Sequence, residues 1–289
     1  EGDDARPAGH DGRARGHAVP LMRGPRIFIG GRPATVEELA GPALVNDGHF
    51  TTLQVRGHAV QGLDMHLQRL CEATRELFAL AMAPEAFRDQ LRAALDADGR
   101  ADCTLRASVT VPGSMSPMRG GAAGQPEMLV AISAPLEPPR DPVRVRSFHH
   151  ERVAPHIKHA GTFDLFHHRR LALGAGYDDA LFVDGSGQVL EGSTWNVGFL
   201  EGDGIVWPQG RALRGVTERL LQAGLNRAGV AQHYRPVTLD ELVRFQGAFA
   251  CNSRGVWMLQ SVDAVRWEPG PEWMQRLGGI LSACAWNRV

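Results

Sequence analysis

The chain has 289 residues, which is enough for a large core and favours two domains of about 110 to 150 residues each. Its 31 basic and 32 acidic side chains nearly cancel, so the bulk charge attracts neither nucleic acid nor an anionic membrane, and a small-molecule partner is expected. Four single cysteines, no apolar run near the roughly 18 residues of a membrane span, and no signal-like start together predict a cytoplasmic protein.

The first half of the chain predicts a small α/β domain after a tail. Residues 1–24 are rich in Gly, Ala, Arg, Asp and Pro and predict a disordered tail, and residues 25–137 form the predicted domain. Within it, "RIFIGGRPA" and "HFTTLQVRGHAV" read as strands and turns, followed by amphipathic helices over 64–81 and 84–97. The stretches "DCTLRASVTVPG" and "PEMLVAISAP" then predict two more strands.

The second half predicts a larger C-terminal domain over residues 138–289. The proline-rich stretch "APLEPPRDP" predicts the linker between the domains. Beyond it the pattern predicts a strand, a helix over 163–176, three strands within 179–208, and a helix that begins at "RGVT". The stretch "AFACNSRGVWMLQSV" returns as strand, loop and strand, so the whole chain predicts an α+β fold.

Lys158, in "HIKHAG", is the only lysine of the chain. It lies between a predicted strand and a predicted helix, where a side chain can project into a cleft. An isolated lysine is ordinarily a solvated surface charge. Here the other basic positions are all arginine, which cannot act as an amine nucleophile, so a nucleophilic lysine attacking a carbonyl carbon competes with that interpretation.

Other residues supply the remaining parts of a cofactor site. Glu191 ends a predicted strand in "LEGSTWN", 33 residues after Lys158. Arg69 in "HLQRL" and the helix start at "RGVT" offer a guanidinium and backbone N–H groups for a phosphate. A lysine that forms a Schiff base, a carboxylate for a pyridinium nitrogen and a phosphate site are the parts that hold pyridoxal phosphate.

The order of "HLQRL", "IKH", "DDALFVDGSGQVLEGSTWNV", "LRGVTERLL" and "CNSRGVWML" resembles the class IV aminotransferases, the fold-type IV pyridoxal-phosphate family. This family includes branched-chain and D-amino-acid aminotransferases and 4-amino-4-deoxychorismate lyase. The resemblance covers about residues 26–265. It implies a small N-terminal α/β domain, a larger C-terminal domain, the cofactor between them, and a homodimer whose partner contributes a loop to each site.

The resemblance also implies roles for individual residues. Lys158 matches the Schiff-base lysine, and Glu191 matches the carboxylate that faces the pyridine nitrogen. The residues implied to bind the phosphate are Arg69, Val216, Thr217, and either Asn252 or Ser253.

Departures from the family pattern bear on the substrate. Phe163 stands where branched-chain enzymes place a tyrosine that contacts the ring oxygen, and "NDGHFTTLQVR" follows the lyase pattern, whereas D-amino-acid enzymes have tyrosine in place of Phe50. Thr51 and Thr52 alternate on a strand, so only one of them faces the cleft, and it either helps to bind substrate or is there for its β-propensity.

The residue that holds a substrate carboxylate is left open by the sequence. The family's "RG" after the last strand of the first domain reads "VPG" here, at residues 111–113. Arg106, Arg119 and Arg254 are the candidates to replace that arginine.

Several histidines and tryptophans have plainer interpretations. Six histidines between residues 149 and 168 lack the spacing of a metal site, so no metal is expected and a polar helix surface or dimer contact is favoured. His66 is expected to pack and orient the helix of Arg69. Trp195 and Trp207 are expected to be core or interface aromatics and not substrate platforms.

The sequence therefore predicts a pyridoxal-phosphate-dependent aminotransferase that transfers an amino group between an amino acid or amine and a 2-oxo acid. The alternative is 4-amino-4-deoxychorismate lyase, which would use the same lysine to release pyruvate. A non-catalytic scaffold that keeps the fold is a second alternative, although such a protein would not need Lys158, Glu191 and Arg69 together.

Overall fold

The structure is a computed structural model that describes residues 24–112, 124–268 and 270–289. All but the last residue of the predicted tail, and Arg119, lie outside the described residues. Two large sheets, one from each half of the chain, organise the fold, and helices pack on both, which confirms the α+β class. None of the helices in the described residues combines the length and the apolarity needed to cross a membrane.

The N-terminal half forms a five-stranded antiparallel sheet in the order β2-β1-β6-β5-β3. Helices α2 and α3 cover one face of it and bury a core that includes Phe28, Leu70 and Phe87. The elements of this half are β1 Arg26–Ile29, β2 Arg32–Pro33, α1 Val36–Leu44, β3 His49–Val55, β4 Ala59–Gln61, α2 Leu63–Phe78, α3 Pro84–Asp98, β5 Cys103–Thr110 and β6 Glu127–Ser133.

The C-terminal half forms a nine-stranded mixed sheet in the order β12-β11-β10-β13-β14-β7-β8-β9, with β15 paired to β14. Its elements begin with β7 Val143–His149, α4 Phe163–Gly174, β8 Asp179–Val183, β9 Val189–Gly192, β10 Asn196–Glu201, β11 Gly204–Pro208 and α5 Val216–Arg227. They continue with β12 Gln232–Arg235, a 3₁₀ helix Leu239–Arg244, β13 Gly247–Asn252, β14 Gly255–Val262, β15 Val265–Arg266, α6 Pro271–Ser282 and β16 Trp286–Arg288.

The predicted helices are present with shifted ends. Helix α2 ends at Phe78, three residues before its predicted end, because Ala79 adopts the left-handed conformation (φ 54°) and terminates it. Helix α4 likewise ends before its predicted end, at Gly174. The proline-rich stretch over 134–142 contains no helix or strand, and the domain boundary at residues 137 and 138 stays a prediction.

Two elements differ from the sequence interpretation. Four strands, β8 to β11, occupy residues 179–208, where three were predicted, because residues 193–195 form a turn in which the N–H of Gly192 donates to the carbonyl of Trp195 at 2.8 Å. Helix α1 was not predicted, although Thr35 and Glu38 form a capping box at its start.

Helices α2 and α5 meet where the two halves face each other. Gly62, at the start of α2, has φ 65°, and a Cβ there would lie 2.7 Å from Cγ1 of Val216. Only glycine fits this position, because it has no side chain and tolerates the left-handed conformation. The beginning of α2 is therefore packed directly against the beginning of α5.

Candidate active site

Lys158 lies in the loop after β7, and strand β3 of the other sheet, together with Gly48 just before it, holds this loop through backbone hydrogen bonds. The N–H of Phe50 donates to the carbonyl of Lys158 at 2.9 Å, and the N–H of Ala160 donates to the carbonyl of Gly48 at 2.7 Å. The neighbouring Ile157 is buried. These contacts fix the lysine backbone between the two halves, and its side chain lines the cavity between them.

The environment of Lys158 favours its neutral form. The side chain is half-buried and forms no hydrogen bond or ion pair with a described residue. Burial, followed by the charges of Arg69 and Arg152, lowers the pKa of Lys158 from 10.5 to about 7, against the opposing effect of Glu191. A large fraction of this amine is therefore unprotonated at neutral pH, which is the form that attacks a carbonyl carbon.

Glu191 lies on β9 with only 6% of its surface exposed. One carboxylate oxygen accepts a hydrogen bond from the N–H of Leu213 at 3.3 Å, and the other lies 3.5 Å from the Arg152 guanidinium. Burial raises the pKa of Glu191 to about 7, while Arg152 opposes that rise. A cationic ring nitrogen brought next to this carboxylate would stabilise its charged form.

Arg152 is a site residue that the sequence analysis missed. Its side chain is buried, and its guanidinium donates to the carbonyl of Ile157 at 2.8 Å while it contacts Glu191. It therefore connects the loop of Lys158 to the carboxylate on β9. Its Nε is buried without a partner among the described residues. Nothing in the sequence distinguishes this arginine, because its partners come from distant strands and loops.

The beginning of α5 also lines the cavity. Its N-cap is Gly215, where a Cβ would collide with Oδ1 of Asn196, so only glycine fits. Val216 and Thr217 begin the helix, and their backbone N–H groups belong to the helix turn that has no internal acceptors. Arg69 reaches this turn from α2 and donates to the carbonyl of Arg214 at 3.0 Å. Together these groups offer hydrogen-bond donors and positive charge of the kind that suits an anion.

Asn252 and Ser253, the two candidates for a further phosphate ligand, lie next to each other at the turn between β13 and β14 but differ in their side-chain contacts. The side chain of Asn252 is occupied, since its Nδ2 donates to the carbonyl of Thr194 at 3.2 Å and its Oδ1 accepts from the N–H of Arg254 at 2.9 Å. The hydroxyl of Thr217 also donates to the carbonyl of Asn252 at 2.7 Å. Ser253 has no such side-chain contact among the described residues, so of the two it is the better available donor.

Phe50 and Thr52 of strand β3 both line the cavity. Successive side chains of a strand point to opposite faces, so this agrees with the prediction that only one of the two threonines faces the cleft. Thr51 is fully buried on the other face, where its hydroxyl lies 2.6 Å from Nδ1 of His66. His66 is packed on α2, as expected, but it also lines the cavity.

Two of the three candidate arginines for a substrate carboxylate line the same cavity. Arg106 stacks on the ring of Phe50, with Cζ 3.5 Å from the ring centroid, and Nζ of Lys158 lies 4.9 Å from that centroid. Arg254 packs over the ring of Trp257 at 5.2 Å. Arg119 lies outside the described residues.

One cavity of about 320 Å³ brings the site residues together. Lys158, Glu191 and the start of α5 all line it. Phe163 does not line it; it is exposed and stacked on His167. The residues predicted from the sequence that line the cavity are Phe50, Thr52, Arg69, Arg106, Lys158, Glu191, Val216, Thr217, Asn252, Ser253 and Arg254.

The remaining histidines and tryptophans have structural contacts. His156 pairs with Glu76 at 2.7 Å, and the rings of His150 and His168 lie 4.7 Å apart. Within the described residues no three metal-ligating side chains are grouped. Trp195 and Trp207 are both buried in the core, as expected, although Trp195 also lines the cavity.

Residues 48–262 match the family described as amino-transferase class IV. No match was found among the curated proteins.

Three similar solved structures share the fold. The branched-chain aminotransferase from the archaeon Thermoproteus uzoniensis with norvaline is 19% identical, with a TM-score of 0.78 over 89% of this chain and 93% of that one. A hypothetical aminotransferase from Mycobacterium tuberculosis in its PLP-bound form is 21% identical, with a TM-score of 0.73 over 89% of this chain and 97% of that one. The 4-amino-4-deoxychorismate lyase from Pseudomonas aeruginosa is 25% identical, with a TM-score of 0.72 over 88% of this chain and 97% of that one.

Proposed function

Because the chain belongs to the class IV aminotransferase family, we propose that it transfers an amino group between an amino acid or amine and a 2-oxo acid, using Lys158 as the amine that binds the cofactor. The expected cofactor, pyridoxal 5'-phosphate, agrees with the family and with the similar structure in its PLP-bound form. The fold-type IV architecture expected from the resemblance is confirmed by the structural similarity to the branched-chain aminotransferase.

One observation carries the residue assignment. The cavity is lined by a single lysine with a depressed pKa, by a buried carboxylate, and by the first turn of α5 with Arg69 beside it. The groups fit the cofactor, since Lys158 Nζ and the Nε of Arg152 have no partner among the described residues and Arg69 contacts only a carbonyl oxygen. Pyridoxal phosphate needs an amine, a counterion for its ring nitrogen and donors for its phosphate.

The proposed mechanism assigns a task to each of these residues. When bound, the cofactor supplies a ring that withdraws electrons from the substrate Cα. Lys158 would hold the cofactor through Nζ, and its amine would serve as the general base that takes the proton from the substrate Cα. Glu191 keeps a proton on the ring nitrogen. Arg69, Ser253 and the N–H groups of the first turn of α5 bind the phosphate.

Arg106 is the proposed partner of a substrate carboxylate. It lies beside Phe50 on the strands that face Lys158, and its charge contributes to lowering the pKa of that lysine, so the two side chains are close. Arg254 lies instead in the turn that carries Ser253 and packs on Trp257. An arginine matches a carboxylate in both charge and shape.

The lyase is the second candidate, favoured by the "FTT" pattern on β3 and by the similarity to the enzyme from Pseudomonas aeruginosa. Of the two threonines in that pattern, only Thr52 faces the cavity, so it is the residue that would contact such a substrate. The non-catalytic scaffold is disfavoured because the lysine, the carboxylate and the phosphate arginine are all present in one cavity.

A homodimer and a cytoplasmic location are also part of the proposal. Helix α4 exposes four large apolar side chains that a partner subunit would cover: Phe163, Phe166, Leu171 and Leu173. All four cysteines are unpaired, which fits a reducing compartment. Sedimentation of the purified protein at several concentrations tests the dimer, and a monomer at all of them would refute it.

One assay tests the proposed activity against its alternative. Purified protein with pyridoxal phosphate is given a panel of L- and D-amino acids with 2-oxo acids, and separately 4-amino-4-deoxychorismate. We expect amino transfer from at least one donor and no release of pyruvate from 4-amino-4-deoxychorismate. Pyruvate release without amino transfer would replace the aminotransferase with the lyase, and neither activity would refute both.

A further inference from the structure

His66 lies between two contacts that join α2 to the start of α5. One turn before it, Gly62 packs against Val216, and one turn after it, Arg69 donates to the carbonyl of Arg214. Residues three or four apart lie on the same face of a helix, so His66 faces the first turn of α5. It lines the cavity there and is 6% exposed.

Thr51 determines which nitrogen of the His66 ring carries the proton. Its hydroxyl lies 2.6 Å from Nδ1, is fully buried, and has no other partner among the described residues. If Nδ1 donated to the hydroxyl, the hydroxyl proton would be buried without an acceptor, which is unfavourable. The hydroxyl therefore donates to Nδ1, which places the ring proton on Nε2.

The ring of His66 is held neutral. Burial, and then the charges of Arg69 and Lys158, shift the pKa of His66 well below its ordinary value. Its Nε2 has no partner among the described residues. The ring therefore offers a neutral N–H donor on the same face of α2 as Arg69, whose guanidinium reaches the start of α5.

We propose that His66 binds the cofactor phosphate through its Nε2–H and that Thr51 fixes the tautomer which makes this possible. The inference rests on the proposed function, because that function places the phosphate at the start of α5. A neutral donor adds a hydrogen bond to the phosphate without adding another positive charge beside Arg69.

The tautomer is measured directly by nitrogen NMR of protein labelled with ¹⁵N-histidine, before and after pyridoxal phosphate is added. Comparison with His66→Gln and Thr51→Val assigns the His66 signals. We expect a protonated Nε2 and an unprotonated Nδ1 between pH 6 and 8, with the Nε2–H signal shifting on cofactor binding. A protonated Nδ1, or an Nε2–H signal that the cofactor leaves unchanged, would overturn the proposal.

Cofactor release provides a second readout. His66→Leu removes the donor, whereas His66→Gln keeps an N–H group at a similar reach. We expect His66→Leu to release the cofactor about tenfold faster, the effect of losing one of the weaker hydrogen bonds to a charged group. The release rate of His66→Gln should lie between those of His66→Leu and the wild type. Thr51→Val replaces the hydroxyl with a methyl group of similar size and keeps His66, so it should accelerate release by a smaller factor.

The outcomes separate this inference from the proposed function. A wild-type protein that never becomes coloured with pyridoxal phosphate refutes the cofactor site itself. A coloured wild type together with equal release rates in folded His66→Leu, His66→Gln and wild type refutes only the role of His66. If His66→Leu does not fold, the NMR of the wild type and the release rate of Thr51→Val decide.

Discussion

The depressed pKa of Lys158 predicts that this amine reacts fastest near neutral pH and above. Lys158 is the only lysine, so an aldehyde that lacks a phosphate, such as pyridoxal, reports on one ε-amino group once any terminal amine is separated by peptide mass analysis. With a pKa of about 7, half of the Lys158 amines are unprotonated at pH 7. An ordinary lysine would be unprotonated in only about 0.03% of molecules, roughly a thousandfold less.

The assay is the rate at which the protein without cofactor captures pyridoxal, measured between pH 5 and 11. The rate should rise through about pH 7 and level off above about pH 8. The transition should be broad, because Glu191 also has a pKa of about 7 and the two groups titrate together. A rate that keeps rising to pH 10 would refute the reasoning.

Two variants should move this transition in opposite directions. Arg69→Met removes a positive charge and should raise the midpoint pH, whereas Glu191→Gln removes the carboxylate that stabilises the ammonium form and should lower it. The exposed Arg244, on the 3₁₀ helix, provides a matched control, and Arg244→Met should leave the midpoint unchanged. Shifts of the same sign in both variants would contradict the assigned charges.

Three further substitutions separate the tasks of the site residues. Arg69→Ala should weaken cofactor affinity by roughly ten- to a hundredfold, measured by fluorescence titration, and unchanged affinity would remove Arg69 from the phosphate site. Glu191→Gln should keep the cofactor but lower turnover by roughly a hundred- to a thousandfold, a barrier rise of about 3 to 4 kcal/mol, and wild-type turnover would exclude it as the partner of the ring nitrogen. Arg106→Gln should raise the KM for 2-oxo acids by about tenfold or more, with Arg254→Gln as the matched variant, and the reverse pattern would assign the carboxylate to Arg254.

Short motifs predicted much of the candidate site. Lys158 is conspicuous because the chain is otherwise free of lysine, and Glu191 and the first turn of α5 lie in contiguous stretches whose order resembles a known family. These residues depend on local backbone, a strand end or a helix start, which the sequence encodes over a few positions. The structure brings them into one cavity.

Other features depend on contacts between distant parts of the chain. Arg152 acts through a carbonyl in its own loop and a carboxylate on β9, and no spacing in the sequence indicates that pairing. The preference for Ser253 over Asn252 as a phosphate ligand rests in part on the carbonyl of Thr194, which binds the side chain of Asn252 and lies 58 residues away from it in the sequence. The turn that divides β9 from β10 was missed because its residues read as a continuous strand.

The central claim is that Lys158 holds the cofactor. Reduction of the pyridoxal-phosphate-loaded protein with borohydride, followed by peptide mass analysis, tests it most directly, because it fixes the cofactor to the amine that carried it. The account predicts a phosphopyridoxyl group on the peptide that contains Lys158 and none on the Lys158→Ala variant. An unmodified Lys158 peptide in the reduced wild type would contradict the account.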